Sequence, residues 1–126
     1  MADTPETYRT VTPYLVVPDA DAELKFLEAA FGATPAMCQR NPDNTVMHAE
    51  VNIGNSLIML GQAGSQWKAL KAALYLWVEN VDVAYSNAIA AGATSQSAPE
   101  DKPYGHRNAS VVDASDITWW IGSPVK

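Results

Sequence analysis

The residues of this sequence whose types and spacing could do chemistry are a histidine, a glutamate, an arginine and several aromatic rings. His48 and Glu50 stand two apart, so on a strand their side chains would share one face. An imidazole beside a carboxylate could act in acid–base catalysis, or could form a plain hydrogen-bonded pair on a wet sheet face. The planar guanidinium of Arg107 could bind a carboxylate or phosphate through two hydrogen bonds, or could form a salt bridge to Glu50.

The stretch that must position the histidine and the glutamate, residues 46–62, predicts a β-hairpin closed by the two-residue turn Gly54-Asn55. This turn places Ile53 opposite Ser56 and Glu50 opposite Met59. One face of the hairpin is then apolar core: Ala49, Val51, Ile53, Ile58 and Leu60. The other face mixes polar and apolar groups: His48, Glu50, Asn52, Leu57 and Met59.

Composition and charge narrow the function classes. The chain is 48% hydrophobic and 17% charged, which is typical of a compact globular protein. A net charge of -6 without a basic cluster argues against nucleic acid and anionic membranes as partners. Cys38 is the only cysteine, which excludes an internal disulfide and fits a reducing compartment. With no signal-peptide pattern and no long apolar run, we expect a cytoplasmic protein that does not cross a membrane.

The remaining sequence predicts the order strand, helix and three strands twice. In the first copy a strand over 10–17 precedes a helix that Asp19 or Asp21 caps and that runs to about Phe31. A strand over 34–40 and the hairpin follow. In the second copy the predicted elements are a strand over 74–78, a helix capped by Asn80 or Asp82, a weak strand near 94–97, a loop over 98–105, and strands over 106–112 and 117–122.

The two copies are also similar in amino-acid sequence. YLVV…D…A…FGAT at 14–34 matches YLWV…D…A…AGAT at 75–94, which indicates an internal duplication. A four-stranded sheet with its helix on one face leaves the other face bare, and two copies can turn their bare faces toward each other. We therefore predict an α+β fold in which two tandem βαβββ modules form a cup-shaped mixed sheet with the helices outside. Residues 1–126 are predicted to be one domain, with module one over about 10–62 and module two over about 73–122.

Paired βαβββ units resemble the vicinal oxygen chelate (VOC) superfamily, the family of glyoxalases, bleomycin resistance proteins and dioxygenases, and the local spelling resembles its PhnB-like branch. The stretches that carry the resemblance are VTPYLVVPDADAELKFLEAAFGA (11–33), VMHAEVNIGNSLIML (46–60), LYLWVENVDVAYSNAIAAGAT (74–94) and APEDKPYGHRNASVVDASDITWWI (98–121). The resemblance implies the glyoxalase/bleomycin resistance fold, and it leaves the substrate open because one scaffold carries many chemistries. Homodimers are common among such proteins, so we expect this chain to form a homodimer.

The resemblance also implies where a metal would be held. Metal-using members place His, Gln or Glu ligands on the first and fourth strands of each module, and the matching positions here are Thr12, Met59, Ala73 and Trp120. None of these is a ligand of the expected hard or imidazole type. We therefore expect no metal and no cofactor.

Strand parity then predicts the residues that face the cup. If residues 113–116 form the second hairpin turn, Val112 pairs with Ile117 and Ala109 faces Trp120. Arg107 then shares the cup face with Ala109 and Val111, while His106 points away from it. The predicted ligand-binding set is Tyr14, His48, Glu50, Leu57, Met59, Tyr75, Trp77, Tyr104, Arg107 and Trp120. Trp77 and Trp120 could stack on a ligand or pack as core, and Tyr104 lies on a loop that could act as a lid.

Three functions are compatible with this sequence. The first is a protein that binds a small aromatic or cationic molecule in the cup without a metal. The second is a VOC enzyme, such as a lyase, isomerase or dioxygenase, with His48 and Glu50 as its catalytic candidates or with a divalent metal at ligands not placed above. The third is a structural or regulatory homodimer without a ligand.

Overall fold

A computed structural model describes residues 8–125, which contain two helices and eight strands. The chain divides into two compact units. The first unit takes in the chain up to Glu28 together with Gly32–Leu70, and the second takes in Ala29–Phe31 together with the chain from Lys71 onward. Within residues 8–125, neither helix has the length and apolar character needed to cross a membrane.

The first unit is built on a four-stranded mixed sheet. Its elements are β1 (Tyr14–Val17), α1 (Ala20–Phe31), β2 (Thr34–Arg40), β3 (Val46–Ile53) and β4 (Ser56–Gln62). The strand order is β1-β4-β3-β2, with β1 parallel to β4 and the other pairs antiparallel. The last turn of α1, residues 29–31, groups with the second unit.

The second unit repeats this order of elements and strands. Its elements are β5 (Ala72–Trp77), α2 (Val81–Ala90), β6 (Thr94–Asp101), β7 (His106–Val112) and β8 (Ile117–Pro124). The strand order is β5-β8-β7-β6, and α2 packs against β6, β7 and β8. The predicted duplication and the α+β fold class are confirmed.

Both helices begin at the cap residues that the sequence predicts, and α1 also ends at the predicted glycine. The side chain of Asp19 accepts a hydrogen bond from the Ala22 N–H (3.1 Å), and that of Asn80 accepts one from the Val83 N–H (3.1 Å). The alternative cap Asp21 lies in the first turn of its helix, where a negative charge is favourable. Gly32 ends α1 with a φ of 69°, a left-handed conformation that glycine adopts without strain.

The hairpin of β3 and β4 has the predicted register. Ile53 pairs with Ser56 and Glu50 with Met59. The face predicted to be core is buried throughout, at Ala49, Val51, Ile53, Ile58 and Leu60. This register follows directly from the turn, because Gly54 has the positive φ (58°) that a two-residue hairpin turn requires at its first position.

The predicted register of the hairpin of β7 and β8 is wrong by one residue. Val112 pairs with Thr118, and Ser110, not Ala109, lies opposite Trp120. The turn residue Asp116 adopts a φ of 62°, and the Asp113 N–H donates to the Ile117 carbonyl oxygen (3.0 Å), which closes a three-residue loop. A shift of one residue moves every side chain of a strand to the other face of the sheet.

Several strand boundaries also differ from the prediction: β5 begins at Ala72 and ends at Trp77, and β8 extends to Pro124. β1 begins at Tyr14 rather than near residue 10; Pro13 has no N–H to donate to a ladder, and its carbonyl oxygen accepts the Met59 N–H (3.0 Å). β6 extends to Asp101, through residues predicted as loop. It is an edge strand with two register shifts against β7, the setting in which a strand tolerates a proline such as Pro99.

Candidate ligand-binding site

A chain of hydrogen bonds runs across one face of the first sheet. The Tyr8 hydroxyl donates to Glu50 Oε1 (2.7 Å), and His48 Nε2 lies 2.7 Å from Glu50 Oε2. His48 Nδ1 lies 3.3 Å from the Tyr14 hydroxyl. Glu50 is buried, with 5% of its surface exposed, whereas Tyr14 is half exposed. The predicted pairing of His48 with Glu50 is thus present, and two tyrosines extend it.

The ionised carboxylate of Glu50 determines which atoms donate in this chain of hydrogen bonds. Burial acts to raise its pKa, but the hydrogen bonds from His48 and Tyr8 and the charge of His48 together hold the pKa below its ordinary value. An ionised carboxylate only accepts, so His48 Nε2 carries the proton of that bond. In the neutral ring Nδ1 is then the acceptor for the Tyr14 hydroxyl. The hydrogen bond to Glu50 also raises the pKa of Tyr8.

A cavity of about 690 Å³ opens beside Tyr14 and His48 in the first unit. This volume lies within the range of small-molecule sites, roughly 300–1,000 Å³. Its polar lining includes His48 and Gln62. Its apolar and aromatic lining comprises Tyr14, Val16, Met47, Trp67 and Leu70.

The segment after β4 supplies a wall of this cavity that the sequence prediction missed. Trp67 and Leu70 lie in a connection without helix or strand, and both are more than half exposed. Backbone bonds from the Ala63 N–H to the Val17 carbonyl oxygen (2.7 Å) and from the Leu70 N–H to the Val16 carbonyl oxygen (3.0 Å) hold this segment along β1. A lone tryptophan in an otherwise polar connection was the signal available in the sequence.

Gly61 makes room for the tyrosine at the floor of the cavity. A Cβ at this position would lie 2.8 Å from the Met47 carbonyl oxygen and 3.0 Å from the Tyr14 hydroxyl. The second unit has the same arrangement of tyrosine and glycine, because a Cβ at Gly122 would overlap the ring of Tyr75. In each unit a tyrosine of the first strand therefore lies across a glycine of the last strand.

The predicted residues of module two form an aromatic cluster within the second unit. Tyr75 and Trp77 are 4.8 Å apart between ring centroids, and His106 lies 4.9 Å from Trp77 and 5.3 Å from Tyr104. Trp120 pairs with Tyr75 along the parallel ladder and is 37% exposed. His106, which parity had placed on the other face, belongs to this cluster because the register is shifted.

Arg107 lies on the opposite face from the one predicted. Its guanidinium contacts Asp82 at 2.9 Å and Asp101 at 3.1 Å, and not Glu50. The hydrogen bond from Arg107 lowers the pKa of Asp82, and both carboxylates raise that of Arg107. Ala109 and Val111, predicted on the cup face, are fully buried on the side of Arg107. Arg107 therefore braces β7 to α2 and β6, and it does not reach the aromatic cluster.

The predicted site residues thus fall into two groups. The first unit brings together Tyr14, His48, Glu50 and Met59, with Leu57 buried farther along the same face. The second unit brings together Tyr75, Trp77, Tyr104 and Trp120. The prediction missed Tyr8, Met47, Gln62, Trp67 and Leu70 in the first group and His106 and Asn108 in the second.

Comparison with known proteins agrees with this architecture. The model of the Glyoxalase/Bleomycin resistance protein/Dioxygenase superfamily matches residues 9–121. The chain belongs to this superfamily. An uncharacterized protein of Mycobacterium bovis is 31% identical over 127 residues, covering 92% of this chain and 84% of its own length. An uncharacterized protein of Mycobacterium tuberculosis H37Rv is also 31% identical, covering 92% of this chain and 75% of its own length.

Solved structures share the superfamily fold. TioX from Micromonospora sp. ML1 superimposes with a TM-score of 0.74 at 24% identity, over 94% of this chain and 98% of that one. A glyoxalase-related enzyme from Fulvimarina pelagi superimposes with a TM-score of 0.73 at 19% identity, over 91% of this chain and 87% of that one. At these identities the likeness concerns the fold alone.

The positions that superfamily resemblance assigns to metal ligands do not fit a divalent metal here. Met59 lies beside Tyr14, and Trp120 lies beside Tyr75, so a thioether and an indole stand where oxygen or imidazole ligands are needed. Thr12 lies outside β1 and donates its hydroxyl to the Arg9 carbonyl oxygen (3.3 Å). Within residues 8–125, no three or more His, Cys, Asp or Glu side chains are grouped so as to hold a metal ion.

Proposed function

We propose that this superfamily member binds a small, flat aromatic or cationic molecule in the cavity of the first unit, without a metal. The observation that carries the proposal is the cavity itself: about 690 Å³, walled by the rings of Tyr14 and Trp67, with the His48 imidazole at its polar edge. Such a mixture of apolar walls and few polar groups is typical of small-molecule sites.

The residues that line the cavity are suited to an aromatic ligand and to a cationic one. Aromatic faces attract flat rings by stacking and cations through the ring quadrupole. The Tyr14 proton points toward His48 Nδ1 in the neutral ring, so the Tyr14 oxygen is left as an acceptor for a donor on the ligand. The net charge of -6 favours the approach of a cation over that of an anion.

Truncating Trp67 tests this proposal, because the ring is 68% exposed and its loss does not open the core. We expect Trp67→Ala to weaken binding of N-methylquinolinium by about 2 kcal/mol, roughly 30-fold, which is typical of a tryptophan anchor. Isothermal titration calorimetry measures this, with quinoline and tetramethylammonium as the neutral aromatic and the non-aromatic cation that separate the two contributions.

Val83→Ala is the matched control, since Val83 is an exposed apolar residue on α2. It should leave the affinity for N-methylquinolinium unchanged. Binding that survives Trp67→Ala but disappears in Trp77→Ala would contradict the proposal and move the ligand to the second unit.

A second function, proton transfer, is favoured by the orientation of His48. The imidazole lies between the Glu50 carboxylate and the Tyr14 hydroxyl and lines the cavity, an arrangement in which a carboxylate orients a general base. His48 Nδ1, which accepts the Tyr14 hydroxyl here, takes a substrate proton only when that hydroxyl turns away. Acid–base chemistry at a weakly acidic C–H bond, as in isomerases and some lyases, begins with such a base.

Deuterium uptake distinguishes proton transfer from binding alone. With phenylacetone as the probe in D₂O, an active base would accelerate exchange at the benzylic carbon, and His48→Gln would slow that exchange at least tenfold. Proton NMR follows the exchange directly. A wild-type rate equal to the rate in buffer would exclude this second function for this probe and leave the binding proposal intact.

A further inference from the structure

His48 is the member of the hydrogen-bonded chain that can take up a proton. Histidine is the side-chain type that titrates between about pH 5 and pH 8. The titratable side chains bonded to it within residues 8–125 are Glu50 on its own strand and Tyr14 on β1. The neighbouring strand β2 places Gln39 opposite His48, and a glutamine does not titrate. The other residues that line the cavity carry no charge.

The added proton goes to Nδ1, the ring nitrogen that faces Tyr14. The pKa of Glu50 is held below its ordinary value, so its Oε2 only accepts, and His48 Nε2 keeps its proton in both states of the ring. In the neutral ring Nδ1 accepts the Tyr14 hydroxyl, 3.3 Å away. In the charged ring Nδ1 is a donor, which bonds to the lone pairs of the Tyr14 oxygen.

Protonation of His48 therefore reverses the Tyr14 hydroxyl. Its proton points toward His48 while the ring is neutral, and must turn away once Nδ1 carries a proton of its own. Tyr14 has no other hydrogen-bond partner among residues 8–125, and it is half exposed and lines the cavity. The hydroxyl then presents its proton to the cavity, where it presented lone pairs before.

The second unit has the same geometry without a histidine. On β7, Asn108 has the position that His48 has on β3, and Tyr75 has the position of Tyr14. The Asn108 Nδ2 lies 3.5 Å from the Tyr75 hydroxyl. A carboxamide gains no proton between pH 5 and pH 8, so this pair keeps one arrangement of donor and acceptor.

We propose that the His48–Tyr14 pair decides which ligands the cavity of the first unit prefers. Flat molecules with a hydrogen-bond donor are preferred when the imidazole is neutral, and flat molecules with an acceptor when it is charged. This inference rests on the proposed binding function, to which it adds the polarity of the ligand and its dependence on pH. Tyr14 contacts the ligand, and His48 acts through Tyr14.

Two uncharged bicyclic probes test the polarity of the Tyr14 hydroxyl. Indole offers one N–H donor, whereas quinoline N-oxide offers one strong acceptor and no donor, and neither titrates between about pH 5.5 and pH 8. When the pH is lowered over this range, the affinity of wild type for indole should fall about fivefold. The affinity for quinoline N-oxide should rise about fivefold, as expected for one hydrogen bond lost or gained. Isothermal titration calorimetry measures both.

His48→Asn is the matched variant, because it copies the residue that the second unit has at this position. Neither affinity should then change by more than about twofold between the two pH values. Tyr14→Phe keeps the ring and removes the hydroxyl. The ratio of the two affinities, which should change about 25-fold in wild type, should change less than about fivefold in Tyr14→Phe. Val83→Ala, on α2, should respond as wild type does.

Nitrogen-15 NMR spectra of the histidine rings test the placement of the protons without a ligand and without a variant at the site. The neutral ring of His48 should carry its proton on Nε2, and the second proton should enter at Nδ1 as the pH is lowered. The chain has two histidines, and His106→Gln assigns their signals.

Three results would overturn this inference. The first is a neutral His48 ring that carries its proton on Nδ1. The second is that both probes respond to pH in the same direction in wild type. The third is that the full response remains in His48→Asn or in Tyr14→Phe, which would show that the ligand does not meet a hydroxyl oriented by His48.

The binding of N-methylquinolinium separates this inference from the proposed function. If N-methylquinolinium binds and the three results above are found, or neither bicyclic probe binds, the inference fails and the binding function stands. If none of the three molecules binds to wild type, the proposed binding function fails and this inference fails with it.

Discussion

Replacing Asp113 by alanine is expected to lower the free energy of unfolding by about 3 kcal/mol, because one buried carboxylate satisfies three donors. Its Oδ1 accepts from the N–H groups of Ser115 (2.8 Å) and Ile117 (3.1 Å), and its Oδ2 accepts from Trp119 Nε1 (2.9 Å). Trp119 is 1% exposed, so its indole N–H would have no water to replace the lost bond. Urea denaturation followed by circular dichroism measures the change.

Asp116→Asn in the same loop is the matched control. Asp116 is exposed and holds a positive φ, which asparagine tolerates as well as aspartate. We expect its effect to stay within about 0.5 kcal/mol. Equal losses in both variants would mean that the loop, rather than the bonds to Asp113, carries the stability. The result bears on the aromatic cluster, because the loop sets the register of β7. That register places Asn108 and Ser110 on the face of the sheet away from α2.

Replacing Glu50 by alanine is the second large effect, also about 3 kcal/mol at neutral pH. The change removes two hydrogen bonds to a carboxylate and leaves Tyr8 and His48 without their acceptor. Glu50→Gln should cost less, about 1 kcal/mol, because the amide can donate to His48 Nε2 once the ring adopts its other tautomer. Urea denaturation at a series of pH values measures both variants.

The pH dependence provides the sharper test of Glu50. Its pKa in the folded chain is lower than the ordinary value of 4.5, so the folded state favours the ionised form. The stability that ionisation contributes is therefore present above about pH 5 and is lost as the pH falls through the folded pKa. The difference between wild type and Glu50→Ala should shrink from pH 6 to pH 3.

Glu79→Ala is the control for this series, since Glu79 is exposed. Its effect should stay within about 0.5 kcal/mol at every pH. A wild-type minus Glu50→Ala difference that is constant from pH 6 to pH 3 would show that the ionised carboxylate is not what stabilises the network.

Much of this fold could be predicted because short-range chemistry dictates it. Asp19 and Asn80 cap the two helices because their side chains accept a backbone N–H of the first turn. Gly32 ends α1 because glycine adopts the left-handed conformation without strain. The first hairpin follows from Gly54-Asn55, since a two-residue turn permits one register, and that register alone places His48 and Glu50 on one face.

The second hairpin shows what only the tertiary structure decided. The residues Asp-Ala-Ser-Asp at 113–116 are compatible with loops of three or four residues, and the two lengths expose opposite faces of β7. Asp113 selects the three-residue loop because it binds the buried indole of Trp119, a contact that forms only when β8 is in place. Arg107 therefore joins α2 and β6, and Asn108 joins the aromatic cluster.

The walls of the cavity were equally beyond local reasoning. Trp67 and Leu70 have no periodic pattern, and their positions depend on backbone bonds to Val16 and Val17, distant in sequence. The sequence by itself thus determined the family, the repeated units and the His48–Glu50 pair. The tertiary structure decided which rings and polar groups surround each site, because long-range contacts selected among local conformations of similar energy.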